Sequence, residues 1–324
     1  MKKICFLLPE GKLKPSSVVG ALEVFEMANE YLVEKGNKKF YDITIVGANH
    51  QQQQYGLSIL PMVKDLRRIK PDLIIVPGMH WKNYDALKGN ELFAGWLVKQ
   101  YTNGSEVASL CTGAFFLAAS GVLEGKECST HWRGEQEFIK RFPNVTLRAN
   151  QIITDSKGIY TSGGANSSLN LVLYLVEKYN GRQVAVYCSK MLQIDLDRSS
   201  QSPFMIFNAL RDHEDETIKK VQLYVEKNSH ERLTVEFLAD KFSMSKRSFI
   251  RRFKKVTSIT PIDYIQKVKM ETAKRRFETK KGNINEVMYA VGYNDAKAFR
   301  NIFRKVTGLS PIEYKQKFNK AAIL

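Results

Sequence analysis

The front half of the chain alternates short apolar runs with longer segments of helical periodicity. Runs of this length, rich in Ile, Val and Leu, predict buried β-strands. They lie at Ile4–Leu8, Tyr41–Val46, Leu73–Val76, Val107–Leu110 and Ile159–Thr161. Segments between several of them predict helices at Gly20–Lys35, Leu92–Tyr101 and Asn170–Tyr179. This alternation predicts an α/β domain whose mainly parallel sheet has helices on both faces.

The apolar pattern of the back half occurs twice, at an offset of 50 residues. Phe249 and Phe253 of the first copy match Phe299 and Phe303 of the second, and a Lys-Val-Thr triplet follows each pair. A repeat at a fixed offset usually means one supersecondary unit built twice. Each copy reads as helix, tight turn, helix, so this half is predicted to be all-α with two helix-turn-helix units.

Turn and capping residues mark the helix ends in these copies. Asn283 with Glu286 three residues later forms a capping-box pattern. Gly292 is the residue best able to adopt the left-handed turn that ends this helix. The predicted caps of the following helices are Ser243 or Ser245 in the first copy and Asn294 or Asp295 in the second.

The second helix of each copy has an aromatic edge and a basic face. Steps of 100° per residue place both Phe pairs inward and the basic residues outward. The outward residues are Arg247, Arg251 and Lys254 in one copy and Lys297, Asn301 and Arg304 in the other, with Ile250 and Arg300 at the flanks. Such a helix can enter a DNA major groove. The alternative, amphipathic helices with solvated charges, does not account for the repetition.

These motifs support a resemblance to a known family. Residues 217–324 resemble the AraC family DNA-binding domain, in which a linker helix joins two helix-turn-helix units, and GYNDAKAFRNIFRKVTGLSPIEYKQKF carries that family's signature. The linker helix has its own signals: Thr260 as cap, Pro261 at the first position and Gly282 as a stop. We expect the DNA-binding domain at 216–324, preceded by a polar linker at 196–215.

The charge of the chain is concentrated in the repeat. Residues 1–212 carry 25 basic and 20 acidic side chains, whereas residues 213–324 carry 25 and 13. The net charges are therefore +5 and +12. A basic region of this kind is typical of a polyanion binder. Double-stranded DNA is the predicted partner.

Cysteine usage and hydropathy indicate a cytoplasmic protein. The four cysteines, Cys5, Cys111, Cys128 and Cys188, show no Cys-x-x-Cys metal spacing, so we expect neither a metal site nor a cofactor. The apolar run near the N-terminus is short for a signal peptide and reads better as a first strand. No apolar stretch approaches the length that spans a bilayer, and no membrane association is expected.

One strand end carries candidate chemistry. Cys111 follows the buried run ending at Leu110 and precedes Thr112-Gly113-Ala114, after which an apolar helix reaches Ala119. Small residues here permit a sharp strand-to-helix elbow that places the sulfur at a helix N-terminus, where dipole and amides would activate the thiol. A buried cysteine that packs as a small hydrophobe is the alternative.

Residues 1–195 resemble the ThiJ/PfpI superfamily, which shares its flavodoxin-like fold with class I glutamine amidotransferases. The matching segments are GALEVFEMAN, PDLIIVPG, SLCTGAFFLAASGVLEGKECSTHW and IYTSGGANSSLNLVLYLVEKYNG. Fused to an AraC-type domain, this is the arrangement of GlxA-type regulators. In enzymes of the superfamily an acidic side chain approaches the thiol. That position is Ser17 here, and Thr112 replaces the histidine that often follows the cysteine, so no catalytic residue is assigned.

The front domain is therefore expected to sense a ligand at its strand ends. The candidate effector-pocket residues are Cys111, His131, Gly78, Glu23 and Ser17. For His131 a satisfied, partly buried side chain is the alternative, and for Glu23 a solvated helix face. The predicted partners are an unidentified small-molecule effector and a second copy of the chain, with RNA polymerase a further candidate.

Together these features predict a sequence-specific transcription regulator. Predicted base-facing residues are Arg247, Ile250, Arg251, Lys297, Arg300 and Asn301, and predicted phosphate-binding residues are Lys246, Arg252, Lys254 and Arg304. Two alternatives remain at this point. One is a ThiJ/PfpI-type amidase or hydratase with a DNA-binding tail, and the other is a regulator that senses oxidants through Cys111.

Overall fold

A computed structural model of the protein describes residues 1–47, 65–80, 85–164, 166–208, 211–279 and 282–319. The chain divides into two units, Met1–Gln201 and Ser202–Leu324, and the division lies within the stretch predicted as a linker. Across the described ranges, no helix is long and apolar enough to cross a membrane.

The front unit is built on a six-stranded sheet of strand order β2-β1-β3-β4-β8-β7. All neighbouring pairs are parallel except β7 and β8. A second, small sheet pairs β5 with β6. The strands are β1 (Lys2–Leu8), β2 (Tyr41–Gly47), β3 (Leu73–Val76), β4 (Glu106–Ser109), β5 (Glu127–Cys128), β6 (Thr146–Leu147), β7 (Ile153–Ser156) and β8 (Ile159–Ser162).

Helices cover this sheet. They are α1 (Pro15–Glu34), α2 (Glu91–Thr102), α3 (Ala114–Ala119), α4 (Glu135–Arg141), α5 (Ser167–Asn180) and α6 (Arg182–Met191). Every residue of β3 is fully buried. A strand buried on both faces needs a layer on each side, and α1, α5 and α6 pack against one another as part of this covering. The predicted α/β domain with a mainly parallel sheet is confirmed.

Two differences from the predicted elements have simple causes. Helix α1 begins at Pro15 rather than at Gly20, because proline at the first helical position already has the helical φ angle. Strand β7 was not predicted, since its sequence ITDS is short and three of its four residues are polar. It pairs antiparallel with β8, where the chain doubles back.

The strand order reverses between β1 and β3, and ligands of open α/β sheets bind at such a switch point. The loops that follow these two strands are joined by backbone hydrogen bonds. Lys14 N donates to Gly78 O at 2.7 Å, and His80 N donates to Lys12 O at 2.9 Å. The fold therefore brings residues 12–14 beside residues 78–80 at the carboxyl edge of the sheet.

The back unit is helical in its described part. Its helices are α7 (Glu216–Lys227), α8 (Val235–Lys241), α9 (Lys246–Thr257), α10 (Pro261–Thr279), α11 (Ile284–Ala290), α12 (Ala296–Thr307) and α13 (Pro311–Phe318). They enclose two separate apolar cores. The first surrounds Phe249 and Phe253 and the second surrounds Phe299 and Phe303, while α10 contributes side chains to both cores.

Local signals of the repeat are confirmed in the folded chain. Ser245 caps α9 and Asp295 caps α12, which decides between the alternatives left by the sequence. Asn283 and Glu286 form a complete capping box at α11. Gly292 has a φ of +73°, the left-handed turn conformation that favours glycine.

Candidate functional site

Cys111 lies on the predicted elbow between β4 and α3. Its φ of +55° is in the left-handed region, which costs a non-glycine residue on the order of 1–3 kcal/mol. Gly113 permits the sharp turn, because a Cβ there would lie 2.6 Å from Val76 O and 2.7 Å from Pro77 O. The elbow therefore brings the end of β4 against the loop after β3. Cys111 is only 1% exposed.

Three contacts hold the cysteine in this conformation. Its N–H donates to Ser162 Oγ at 3.0 Å, and its carbonyl accepts from Thr130 Oγ1 at 3.0 Å. The ammonium of Lys14 lies 3.3 Å from Sγ. The sulfur thus has a cation beside it, a partner that the sequence motifs did not indicate.

Ser17 and Gly78 belong to the same group. Ser17 Oγ donates to Lys14 O at 2.8 Å and accepts from Gly78 N at 2.9 Å. A Cβ on Gly78 would lie 3.3 Å from Cys111 Cβ and 3.2 Å from Lys14 Cδ. The position that is acidic in enzymatic members of the superfamily is here a hydroxyl that fastens two loops together.

His131 is a further candidate pocket residue, close enough to Lys14 for that charge to act on its ring. Its Nδ1 accepts a hydrogen bond from Arg133 N at 3.1 Å, so a neutral ring carries its proton on Nε2. Burial, the charge of Lys14 and the charge of Arg133 lower the pKa of His131 to about 4. The ring packs so closely over Gly164 that a Cβ there would lie 2.3 Å from Cδ2. His131 is therefore a neutral, half-buried side chain at neutral pH.

Of the predicted pocket residues, Glu23 does not join the group around Cys111, whereas Gln201, which was not predicted, does. Glu23 is exposed farther along α1, which fits the alternative of a solvated helix face. Gln201 is 2% exposed, and its amide accepts from Gly164 N at 3.1 Å and donates to Thr130 O at 2.8 Å. It thereby ties the loop after β8 to the strand end beside Cys111. No sequence signal marked it within a serine-rich stretch.

The predicted recognition helices α9 and α12 present the expected faces. Their paired phenylalanines are at most 1% exposed. The residues predicted to face DNA bases or phosphates are exposed, except for half-buried Ile250. Because each helix is capped at its first turn and anchored by two rings, it holds its basic face in a fixed orientation.

Two of the predicted phosphate-binding residues already have acidic partners. Arg252 donates to Asp215, the residue that caps α7. Lys246 forms an ion pair with Glu236 on α8. No local sequence pattern marks either pair, because each pair joins residues of separate helices or their caps. Lys254 and Arg304 are exposed near the ends of their helices.

Comparison with known proteins now identifies the front unit. A family model described as the DJ-1/PfpI family matches residues 2–178, more than half of the chain. The chain belongs to the DJ-1/PfpI family. The match confirms the ThiJ/PfpI resemblance drawn from the motifs of this DJ-1/PfpI protein.

A second model, described as a helix-turn-helix domain, matches residues 238–317. The HTH-type transcriptional regulator GbdR of Pseudomonas aeruginosa is 23% identical over 278 residues, covering 86% of this chain and 74% of the relative. The HTH-type transcriptional regulator GlxA of Rhizobium meliloti is 23% identical over 203 residues, 61% of each chain. These findings support a DNA-binding transcription regulator with an AraC-type domain, as predicted.

A further relative is named as an enzyme and matches a shorter part of the chain. The isonitrile hydratase of Pseudomonas putida is 26% identical over 133 residues, covering 41% of this chain and 54% of the relative. The match to GbdR, which is named as a regulator, covers 278 residues and is therefore longer than the front unit of 201 residues.

Proposed function

We propose that the back unit reads two adjacent DNA half-sites with its two recognition helices. On one face of a duplex, successive major grooves are about 34 Å apart, and α9 and α12 would each occupy one. Arg247, Ile250 and Arg251 of α9 would face bases, as would Lys297, Arg300 and Asn301 of α12. Arginine favours guanine edges, and asparagine can pair with adenine.

The observation that carries this proposal is the doubled arrangement of buried aromatics and exposed basic residues. Phe249 and Phe299 are both fully buried, and Arg251 and Asn301, two positions later, are both exposed. Lys254 and Arg304 are exposed one turn farther along and would contact phosphates. Lys246 and Arg252 are paired with carboxylates and would contribute less to phosphate binding than Lys254 and Arg304.

For the front unit we infer effector binding without turnover. Ser17 stands at the acidic position of related enzymes and is occupied by two hydrogen bonds to the backbone. The sulfur of Cys111 has an ammonium within 3.3 Å rather than a carboxyl group. A protonated lysine cannot accept the proton of the thiol. Lys14, Gly78, Cys111 and His131 would instead contact a small ligand at the strand ends.

The assembly completes the proposal. A second copy of the chain would provide a dimer, and RNA polymerase would be the machinery on which the bound regulator acts. Neither partner is needed for the test of DNA recognition.

The test of this function is random-site selection with the full chain at moderate salt, followed by affinity measurements on the selected duplex. We expect a bipartite sequence with half-sites in adjacent major grooves. Failure to enrich any sequence would overturn the proposal. Replacing Cys111 by Ser then separates the alternatives: lost turnover of an isonitrile supports an enzyme, and lost response to peroxide supports an oxidant sensor.

A further inference from the structure

Lys269 is a buried ammonium in the middle of the linker helix α10. It is 4% exposed and lies between Val268, which belongs to the first apolar core, and Met270, which belongs to the second. Charged lysines are rarely buried unless their donors are paired. The position of Lys269 at the boundary of the two cores therefore requires an explanation.

All three donors of the ammonium meet backbone carbonyls. Nζ lies 2.9 Å from Ser229 O and 2.7 Å from Glu231 O, both in the loop between α7 and α8. It also lies 2.7 Å from Val291 O, at the end of α11. The first two carbonyls belong to the first helix-turn-helix half and the third to the second half. One side chain thus joins both halves through three hydrogen bonds.

The turn of the second unit is shaped to fit this contact. A Cβ on Gly292 would lie 2.6 Å from His230 O, 2.8 Å from Lys269 Nζ and 3.0 Å from Glu231 O. Glycine is therefore needed here for close approach as well as for its φ of +73°. Gly292 thus forms the turn of the second helix-turn-helix and also packs against the loop that precedes the first helix-turn-helix.

The contact between the two helix-turn-helix halves at Lys269 is made by directional hydrogen bonds as well as by apolar packing. Burial lowers the pKa of Lys269 to about 8, an effect that the charge of Glu231 opposes. A group of this kind costs desolvation free energy, so a hydrophobic residue of similar size would often be equally stable there. Hydrogen bonds to three carbonyls fix a geometry, whereas an apolar contact would tolerate sliding and rotation.

We propose that Lys269 is a positioning residue that sets the relative orientation of the two recognition helices, and hence the spacing of the two DNA half-sites that the protein accepts. The inference rests on the proposed function, since both helices must engage DNA. Each helix-turn-helix unit keeps its own aromatic core without Lys269. Its loss should therefore affect the coupling of the two units more than the affinity of either one.

The experiment compares full-length variants on the selected bipartite duplex, on derivatives with one or two base pairs inserted or removed between the half-sites, and on each half-site alone. Lys269→Met removes all three donors and should lower affinity for the bipartite site about tenfold. It should also flatten the dependence on spacing, with half-site affinities changed by less than about twofold. Lys269→Arg, which keeps the charge and N–H donors, should restore the spacing preference.

Lys267→Met is the matched control, because it removes the same charge from the same helix. Lys267 Nζ lies 5.7 Å from the Phe207 ring centroid, and this variant should keep the spacing preference. An unchanged spacing preference in Lys269→Met would overturn the inference. So would a loss of affinity at single half-sites equal to the loss at the bipartite site. If Lys269→Met lacks the wild-type helix content, Lys269→Gln carries the same test. Absence of any spacing preference in the wild type would instead contradict the proposed function.

Discussion

Arg252 donates two hydrogen bonds to the carboxylate of Asp215, with Nε 2.7 Å from Oδ2 and Nη2 3.0 Å from Oδ1. Asp215 also caps α7 by accepting from Ile218 N. The guanidinium holds the pKa of this carboxyl below its usual range. A residue expected to bind DNA phosphate is thus used to fasten the recognition helix α9 to the first helix of the unit.

The first prediction separates structural from phosphate-binding cations. Lys254→Ala should reduce the slope of log affinity against log salt by about one. Arg252→Ala should change that slope by much less, because its charge is already neutralised by Asp215. Asp215→Asn keeps a good cap while freeing Arg252, and should steepen the slope. Fluorescence anisotropy across a salt series measures all three. A slope in Arg252→Ala as reduced as in Lys254→Ala would show that Arg252 exchanges Asp215 for phosphate.

The second prediction concerns base readout. Arg251→Ala should cost about 1–3 kcal/mol at its preferred base and relax selectivity there. Asn301→Ala should act in the same way, but in the other half-site, since the two residues lie on different recognition helices. Repeating the random-site selection with each variant locates the relaxed position. Weakening that is uniform across sequences would assign the residue to phosphate contact instead.

The sequence predicted the back unit well because its decisive signals are local. Caps and the turn glycine act within one or two helical turns, and the offset of 50 residues duplicated the phenylalanine pairs and the Lys-Val-Thr triplets. For each recognition helix the sequence left two candidate caps, and the residue at which the helix begins decides for Ser245 and for Asp295. Contacts between residues far apart in the sequence have no comparable local signal. Lys269 meets Ser229 and Val291 across 40 and 22 residues, and nothing in its local pattern marks it.

The front unit shows the same division. The elbow at Cys111 follows from a buried strand and three small residues, and it was predicted together with the α/β fold. Lys14 was missed because its place beside the sulfur depends on packing between the loops after β1 and β3. The parallel order of the strands creates that meeting point. A sequence pattern can suggest parallel strands but does not give their order.

The third prediction is that Cys111 is the first cysteine to be alkylated. Burial raises the pKa of Cys5, raises that of Cys128 to about 12 and raises that of Cys188 to about 11, so these thiols should react slowly. A charge 3.3 Å from Sγ is worth about 1.3 kcal/mol even at the dielectric constant of water. Lys14→Met should therefore slow alkylation of Cys111 about tenfold.

Iodoacetamide labelling followed by peptide mass spectrometry measures this rate. Lys12→Met is the control, since it removes an exposed cation from the same loop and should leave the rate unchanged. Equal rates in wild type and Lys14→Met would mean that the ammonium does not act on the sulfur. Faster modification of any other cysteine would remove the reason to single out Cys111.

The last prediction is that acid destabilises the front unit through His131. The folded ring has a pKa of about 4, whereas an unfolded chain has about 6.5. Above the unfolded value both states are neutral, so His131 contributes no pH dependence. Between about pH 6.5 and pH 4, His131 is protonated in the unfolded chain but stays neutral in the folded protein. The free energy of unfolding should therefore fall as pH is lowered through this window, by less than about 1.4 kcal/mol per pH unit because solvent screens a half-buried ring.

Urea unfolding of the full chain can isolate this effect, because all three tryptophans lie in residues 1–201 and their fluorescence follows the front unit. His131→Asn should flatten the pH dependence, since an amide oxygen can accept from Arg133 N as Nδ1 does but does not titrate. His80→Asn, at an exposed position of the same unit, is the control and should retain the wild-type profile. If His131→Asn loses stability between pH 6.5 and 4 as steeply as the wild type, the acid sensitivity arises elsewhere, and His131 is not held neutral by its burial and by the charges of Lys14 and Arg133.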